Sequence, residues 1–136
     1  MSVKGTGLLP LTASNIQQTL FILRSANMTL TTDQAFTKVF PGTKYVVYNV
    51  VGVRVTGAFG TACLGGVYDA ASKGGNALVA ATQTWASMTG ANTCTEASLA
   101  AIANTTVETA TPFLSLTTGN TGALTADIFI SGVCVD

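Results

Sequence analysis

The sequence predicts an all-β fold, an antiparallel β-sandwich of the jelly-roll type with an extended N-terminal arm. Residues 45–56 (YVVYNVVGVRVT) are rich in β-branched and aromatic side chains, which pack well on a pleated surface. About seven to nine short apolar segments are separated by turns rich in Gly, Asn and Thr, without a long helical pattern. A chain of 136 residues suits one domain. We assign residues 1–15 to the arm and residues 16–136 to a single β-sandwich domain.

The predicted arm contains apolar residues that it cannot bury by itself. Pro10 interrupts any regular element, and Leu8, Leu9 and Leu11 lie around it. Two interpretations stay open. The arm folds back on its own domain, or it lies on a neighbouring subunit.

The segment that follows the arm fits two secondary structures. Residues 14–17 resemble a capping box, and the apolar residues after it have helical spacing. The run at 19–24 (TLFILR) is short, however, and the later elements have β character, so we favour a strand. Within residues 28–40, Thr31 or Thr32 followed by Asp33 and Gln34 predicts a turn or one helical turn. Pro41 and Gly42 precede the next strand.

The segment at 45–56 is the central strand of the prediction. Because side chains alternate across a strand, one face receives Tyr45, Val47, Asn49, Val51, Val53 and Val55, and the other receives Val46, Tyr48, Val50, Gly52 and Arg54. Both faces are largely apolar. Such a strand is covered on both sides, either inside a sandwich or between subunits.

The second half of the chain supplies the remaining predicted strands, at residues 62–68, 77–88, 112–116 and 126–135. Residues 77–88 also fit a helix, and we favour a strand. Residues 99–107 fit a short strand, or a helical turn followed by a strand. The connecting loops and turns are placed at residues 56–61, 72–76, 88–96 and 119–122. Gly65 and Gly66 indicate a bulge or the close approach of another backbone, and the last strand is apolar on both faces.

The low charge of the chain limits its partners. Lys, Arg, Asp and Glu make up 9% of the residues, against about 25% in an average globular domain, and the formal net charge is zero. Isolated cationic residues argue against nucleic-acid binding, which depends on clustered Lys and Arg. No apolar run is long enough for a membrane span. We infer that much of the surface is covered in a larger assembly.

The sequence carries no recognisable catalytic, metal or cofactor motif. It contains no His, which excludes a Ser-His-Asp triad and a Cys-His pair. The six acidic residues are isolated along the chain, so we interpret them as turn or cap residues, although folding could bring two together as in glycosidases. They are Asp33, Asp69, Glu96, Glu108, Asp127 and Asp136. We expect no enzymatic activity and no cofactor.

The cysteines and aromatic residues each leave two interpretations. The spacing of Cys63, Cys94 and Cys134 matches no metal motif, and we expect buried free thiols rather than one disulfide. Trp85 suggests either a core residue, which we favour, or part of a platform on which sugars or bases stack. The other platform candidates are Tyr48, Phe59 and Tyr68.

Four segments resemble small virion proteins of tailed bacteriophages. They are residues 32–38 (TDQAFTK), 66–83 (GVYDAASKGGNALVAATQ), 111–119 (TPFLSLTTG) and 126–132 (ADIFISG). In size and character the chain is similar to capsid cement, or decoration, proteins. The resemblance implies a homotrimer that sits on the outside of the head, binds the major capsid protein and is assembled in the bacterial cytoplasm. It implies no catalytic, cofactor or metal residue.

The candidate partner contacts are Leu8, Leu9, Leu11, Phe21 and Phe129. An assembly protein needs apolar contact surfaces with little charge and an arm that reaches a neighbour. Two alternatives to a cement protein stay open. One is a phage neck, tail or fibre component, and the other is a carbohydrate-binding β-sandwich module.

Overall fold

The computed structural model describes residues 17–57, 63–88 and 93–136, and these ranges contain strands and no helix. The predicted all-β class is confirmed. The strands are β1 (Gln17–Asn27), β2 (Gln34–Ala35), β3 (Thr37–Lys38), β4 (Tyr45–Gly57), β5 (Leu64–Ala70), β6 (Gly74–Val79), β7 (Cys94–Glu96), β8 (Phe113–Thr118) and β9 (Leu124–Cys134). The described residues accordingly include no helix that could cross a membrane.

The strands form two antiparallel sheets. The large sheet has five strands in the order β3-β1-β9-β4-β7, and the small sheet has four in the order β2-β8-β5-β6. One hydrophobic core takes side chains from both, including Val47 and Ile130 of the large sheet and Val67 and Leu114 of the small sheet. The fold is therefore the predicted β-sandwich. The jelly-roll type stays a prediction, and the arm lies outside the described residues.

The core contains a cluster of three aromatic rings and, separately, the buried ring of Trp85. The rings of Phe21, Phe40 and Tyr45 meet edge to face, with centroids 5.0 to 5.5 Å apart. Such pairs contribute about 0.5 to 1.5 kcal/mol beyond the area that they bury. The Trp85 ring packs against Gly52, where an added Cβ would lie 3.1 Å from it. The core thus needs a glycine at the middle of β4.

The predicted central strand is confirmed as β4, but its side chains do not alternate as predicted. Val47 pairs with Gly132 of β9 and Asn49 pairs with Ser131, so Tyr48 is an extra residue in a bulge. The side chains of Val47 and Val50 both point into the core, whereas the side chain of Asn49 points to the opposite face. The predicted faces are therefore right up to Val47 and wrong after it, because one extra residue exchanges the two faces.

The last strand, β9, lies at the centre of the large sheet and alternates without a break. Its core face carries Leu124, Ala126, Ile128, Ile130, Gly132 and Cys134. Its second face mixes the apolar Phe129 and Val133 with the polar Asp127 and Ser131. The predicted strand is confirmed, whereas the prediction that both of its faces are apolar is wrong for the second face.

Several element predictions in the second half need correction. The predicted loop at 88–96 contains β7, and the predicted strand at 77–88 is regular only as far as Val79, where β6 ends. Beyond it, the Gln83 amide donates to the Ala80 carbonyl and the Met88 amide to the Trp85 carbonyl, which makes two turns. Residues 101–106 are also turns. Strand β6 begins within the turn predicted at 72–76.

The predictions for β5 and β8 are confirmed, including the close backbone approach at the two glycines of β5. A Cβ at Gly66 would lie 2.1 Å from the Val79 carbonyl oxygen, and one at Gly65 would lie 2.3 Å from the Leu116 Cα. Real Cβ atoms do not approach backbone so closely. These two positions therefore admit glycine alone without a shift of neighbouring strands.

Candidate functional site

The face of the large sheet that points away from the core, here called the outer face, carries an apolar row across three strands. Ile22 of β1 lies opposite Phe129 of β9, which lies opposite Val51 of β4. All three side chains are half-buried. The row ends at Glu96 on β7. The three longest strands of the fold therefore present apolar side chains side by side at the middle of this face.

Further apolar residues flank this row. On one side, Val53 lies opposite Asp127 and Cys94. On the other side, beyond a polar row, Val46 lies opposite Val133. All but the exposed Cys94 are half-buried. The outer face is therefore largely apolar along most of β4.

The polar row between them consists of Thr19, Ser131 and Asn49. The Asn49 Oδ1 atom is buried and accepts no hydrogen bond from the described residues. A buried acceptor without a partner costs about 1 to 3 kcal/mol. A donor supplied to this atom would therefore stabilise the molecule.

Two opposite charges on the outer face, those of Arg24 and Asp127, neutralise each other. The Arg24 guanidinium lies 3.0 Å from the Asp127 carboxylate and 5.4 Å from the centre of the Phe129 ring. The second Asp127 oxygen accepts from the amide of Ser25, whose φ is 50°. Asp127 thus holds the irregular part of β1 and cancels the charge of Arg24. The apolar row therefore borders an ion pair at Asp127 and the exposed Glu96 at its β7 end.

The candidate contacts have different positions. Phe129 lies on the outer face, as a partner contact must. Phe21 is 1% exposed and packs against Phe40 and Tyr45, so its assignment as a partner contact is wrong. Because a bulge lies at Leu20, the side chains of Leu20 and Phe21 both point into the core. Leu8, Leu9 and Leu11 lie outside the described residues, and their role stays a prediction.

The three cysteines are free, as expected, but they are not all buried. Cys63 and Cys134 lie in the core, whereas Cys94 is exposed on the edge strand β7. The prediction of buried thiols is therefore wrong for Cys94. Burial raises the pKa of the Cys63 thiol to about 11, which keeps it protonated and unreactive at neutral pH.

The stacking platform proposed for sugars does not form around Trp85. This residue is 0% exposed, and its indole N–H donates to the Gly65 carbonyl at 3.1 Å. Tyr68 is buried, while Tyr48 is exposed at the bulge of β4. Phe59 lies outside the described residues. Trp85 is a core residue, which was the favoured interpretation.

Two acidic residues come together, against the interpretation that each is a separate turn or cap residue. The carboxyl groups of Asp69 and Glu108, here called the acid pair, interact directly. Glu108 is 4% exposed, and burial, the hydrogen bond to Asp69 and the charge of Asp69 raise its pKa to about 7. A hydrogen bond from Asn76 opposes this shift. Nothing in the spacing of these residues predicts their meeting.

Asp33 and Asp136 behave as the predicted cap residues. The Asp136 carboxylate accepts from the Thr43 hydroxyl and amide and from the Lys44 amide, and these bonds hold its pKa below the ordinary value. Asp33 accepts from the Ser72 amide at 2.6 Å, which likewise lowers its pKa. Both carboxylates fix turns and are not arranged for catalysis.

The described residues present contact surfaces and one pair of neighbouring acids. The described residues contain no group of three or more side chains that could hold a metal ion. The acid pair resembles the two carboxyl groups of a glycosidase in type, but Glu108 is almost fully enclosed and has no access to a substrate. Within the described residues, the outer face is a feature open to a partner.

Comparisons with protein-family models, curated proteins and solved structures found no match to this chain.

Proposed function

We propose that this chain is a non-enzymatic virion structural protein, a capsid cement or decoration protein that binds the outside of a phage head as a homotrimer. The observation that supports an assembly role is the outer face, with its apolar row Ile22, Phe129 and Val51. The assignment to a phage capsid comes from the sequence resemblance. The proposed partners are further copies of this chain and the major capsid protein.

The physical character of the outer face suits a contact between subunits. Burial of apolar area contributes about 25 cal/mol per Å², and the Arg24–Asp127 ion pair carries no net charge. The charge of Glu96 lies at the β7 edge of the face, away from its middle. Ordering the partners offsets part of this gain. On a lattice with many symmetry-related copies, contacts that are weak singly become strong together.

The low charge of the chain also supports a role in an assembly. A protein with a net charge of zero has little electrostatic repulsion to keep its copies apart in solution. In an assembly this property is useful because identical subunits must pack closely. The same property in an isolated monomer favours precipitation.

The state of assembly in solution tests this proposal. We expect the purified protein to be a trimer by light scattering. Val51→Lys places a charge in the apolar row and is expected to release monomers with little change in the melting temperature, since Val51 faces away from the core. Leu30→Lys is the matched control, because Leu30 is 43% exposed and lies outside the large sheet.

A wild-type protein that stays monomeric at high concentration contradicts the trimer. Equal dissociation by Val51→Lys and Leu30→Lys contradicts the use of the outer face. The number of copies per particle separates the roles within a virion, because a cement protein follows the capsid lattice and a neck, tail or fibre component is present in few copies. The carbohydrate-binding alternative loses its main support with the burial of Trp85.

A further inference from the structure

The acid pair lies where the two sheets are joined, away from the outer face that the proposed function uses. The Glu108 amide donates to the Tyr45 carbonyl at 2.8 Å, and the Tyr45 amide donates to the Glu108 carbonyl at 3.0 Å. These two backbone hydrogen bonds attach Glu108 to the start of β4 in the large sheet. The large sheet therefore fixes the position of the Glu108 backbone.

The Glu108 carboxyl group reaches the other sheet. Asp69 lies on β5 of the small sheet, and its Oδ1 atom accepts from the Asn76 amide of β6 at 2.6 Å. Gly75 makes room for this arrangement, since a Cβ there would lie 2.0 Å from the same oxygen. Contact between the two carboxyl groups thus connects the edge of the large sheet to the β5–β6 hairpin.

The surroundings of Glu108 disfavour a negative charge on its carboxyl group. Glu108 is 4% exposed, and its Oε2 atom has no hydrogen-bond partner among the described residues. Two adjacent carboxylates repel each other, and burial further disfavours the charge on Glu108. A single proton shared between the groups removes the repulsion and makes a hydrogen bond.

We propose that the acid pair is a proton-dependent contact between the two sheets, which holds when the pair carries one proton and weakens when that proton is lost. Among the described residues, Asp69 of β5 and Asn76 of β6 hydrogen-bond to the Glu108 carboxyl group, and Tyr45 of β4 interacts with its charge. Asn76 does not titrate. Burial and the two nearby acids raise the pKa of Tyr45 above its ordinary value of 10, so the phenol stays neutral in this range.

The direction of the pH dependence follows from the pKa of Glu108. It rises from 4.5 to about 7 on folding, so the folded protein holds a proton that the unfolded chain has lost. The stabilisation is complete below the unfolded pKa and is lost as the pH rises through the folded pKa. The shift corresponds to a change of up to about 300-fold in the unfolding equilibrium constant across this window.

Urea denaturation of the full chain between about pH 5 and pH 8 tests this proposal. We expect the unfolding midpoint of the wild type to fall as the pH rises. Glu108→Gln keeps the shape and a hydrogen-bond donor towards Asp69 but does not titrate, so its midpoint is expected to stay level and to exceed that of the wild type at the alkaline end. The matched control Glu96→Gln changes an exposed residue and should keep the wild-type slope.

A level wild-type midpoint, or a slope that survives in Glu108→Gln, overturns the proposal. A second measurement does not depend on the variant. Unfolding of the wild type near pH 6 should release about one proton from Glu108, measured by calorimetry in buffers of different ionisation enthalpy. Absence of proton release overturns the proposal. So does a midpoint at the alkaline end that recovers fully with millimolar calcium, since the pair would then be a cation site.

Discussion

The exposed thiol of Cys94 lies at the border of the outer face, and its reactivity reports whether this face is covered. Cys94 is exposed and lies opposite Val53, whereas Cys63 and Cys134 are buried. We expect a maleimide to label one cysteine per native chain and three in denaturant. Within an assembly that covers the outer face, labelling of Cys94 should slow strongly, as mass spectrometry of the labelled protein can show.

The variant Cys94→Ser is the control for that measurement, because it removes the exposed thiol and leaves the two core thiols in place. It should remain unlabelled in the native state. Rapid labelling of a second cysteine in the native wild type would contradict the burial of Cys63 and Cys134. Equal labelling of Cys94 in the free and the assembled protein would contradict coverage of this border.

Single residues also show where reasoning from sequence ends. Trp85 was favoured as a core residue because lone tryptophans in β-rich chains are usually buried, and it is. The acid pair was missed because Asp69 and Glu108 are far apart along the chain and meet only after two sheets have packed. Phe21 was misplaced because the bulge at Leu20 has no signature in the sequence.

The β5 strand depends on its glycine pair. Gly66→Ala places a Cβ against the Val79 carbonyl oxygen, and backbone atoms cannot move aside as a side-chain end can. We expect the free energy of unfolding to fall by about 1 to 3 kcal/mol, the usual effect of overpacking, as measured by urea denaturation. Gly74→Ala is the milder comparison, since its nearest contact is at 3.0 Å. Equal effects of the two variants would contradict a special restriction at Gly66.

At the scale of elements, the existence of the long strands could be predicted and their register could not. Strands β1, β4, β5, β8 and β9 follow from runs of β-branched and aromatic residues. The extra residue at Tyr48 looks like any other strand residue, so the faces of β4 could not be read correctly beyond Val47. β7 is made of Cys, Thr and Glu and pairs because β4 offers it an open edge.

The whole molecule has a core that the described residues form among themselves. Removal of residues 2–12 deletes Leu8, Leu9 and Leu11, and we expect it to leave the melting transition nearly unchanged while weakening the trimer or its attachment to a particle. Calorimetry and light scattering measure the two effects. Removal of residues 2–7 keeps the leucines and is the control. A large loss of melting temperature would favour an arm that folds back on its own domain.

The composition predicted one property of the whole molecule that the geometry supports. With 9% charged residues, the chain is expected to have apolar surfaces that a partner covers, and the outer face carries an apolar row at its middle. Which face this would be could not be derived, because it depends on how the bulges of β1 and β4 orient Ile22 and Val51. The partner itself stays a proposal.

The position of β9 also determines when the large sheet can form during protein synthesis. β1 and β4 are not neighbours in this sheet, and each pairs with β9, which comes after every other strand along the chain. β1 and β4 therefore each have an unpaired edge until β9 has been synthesised. Open strand edges can pair with another chain, so the large sheet is exposed to mispairing until β9 joins it.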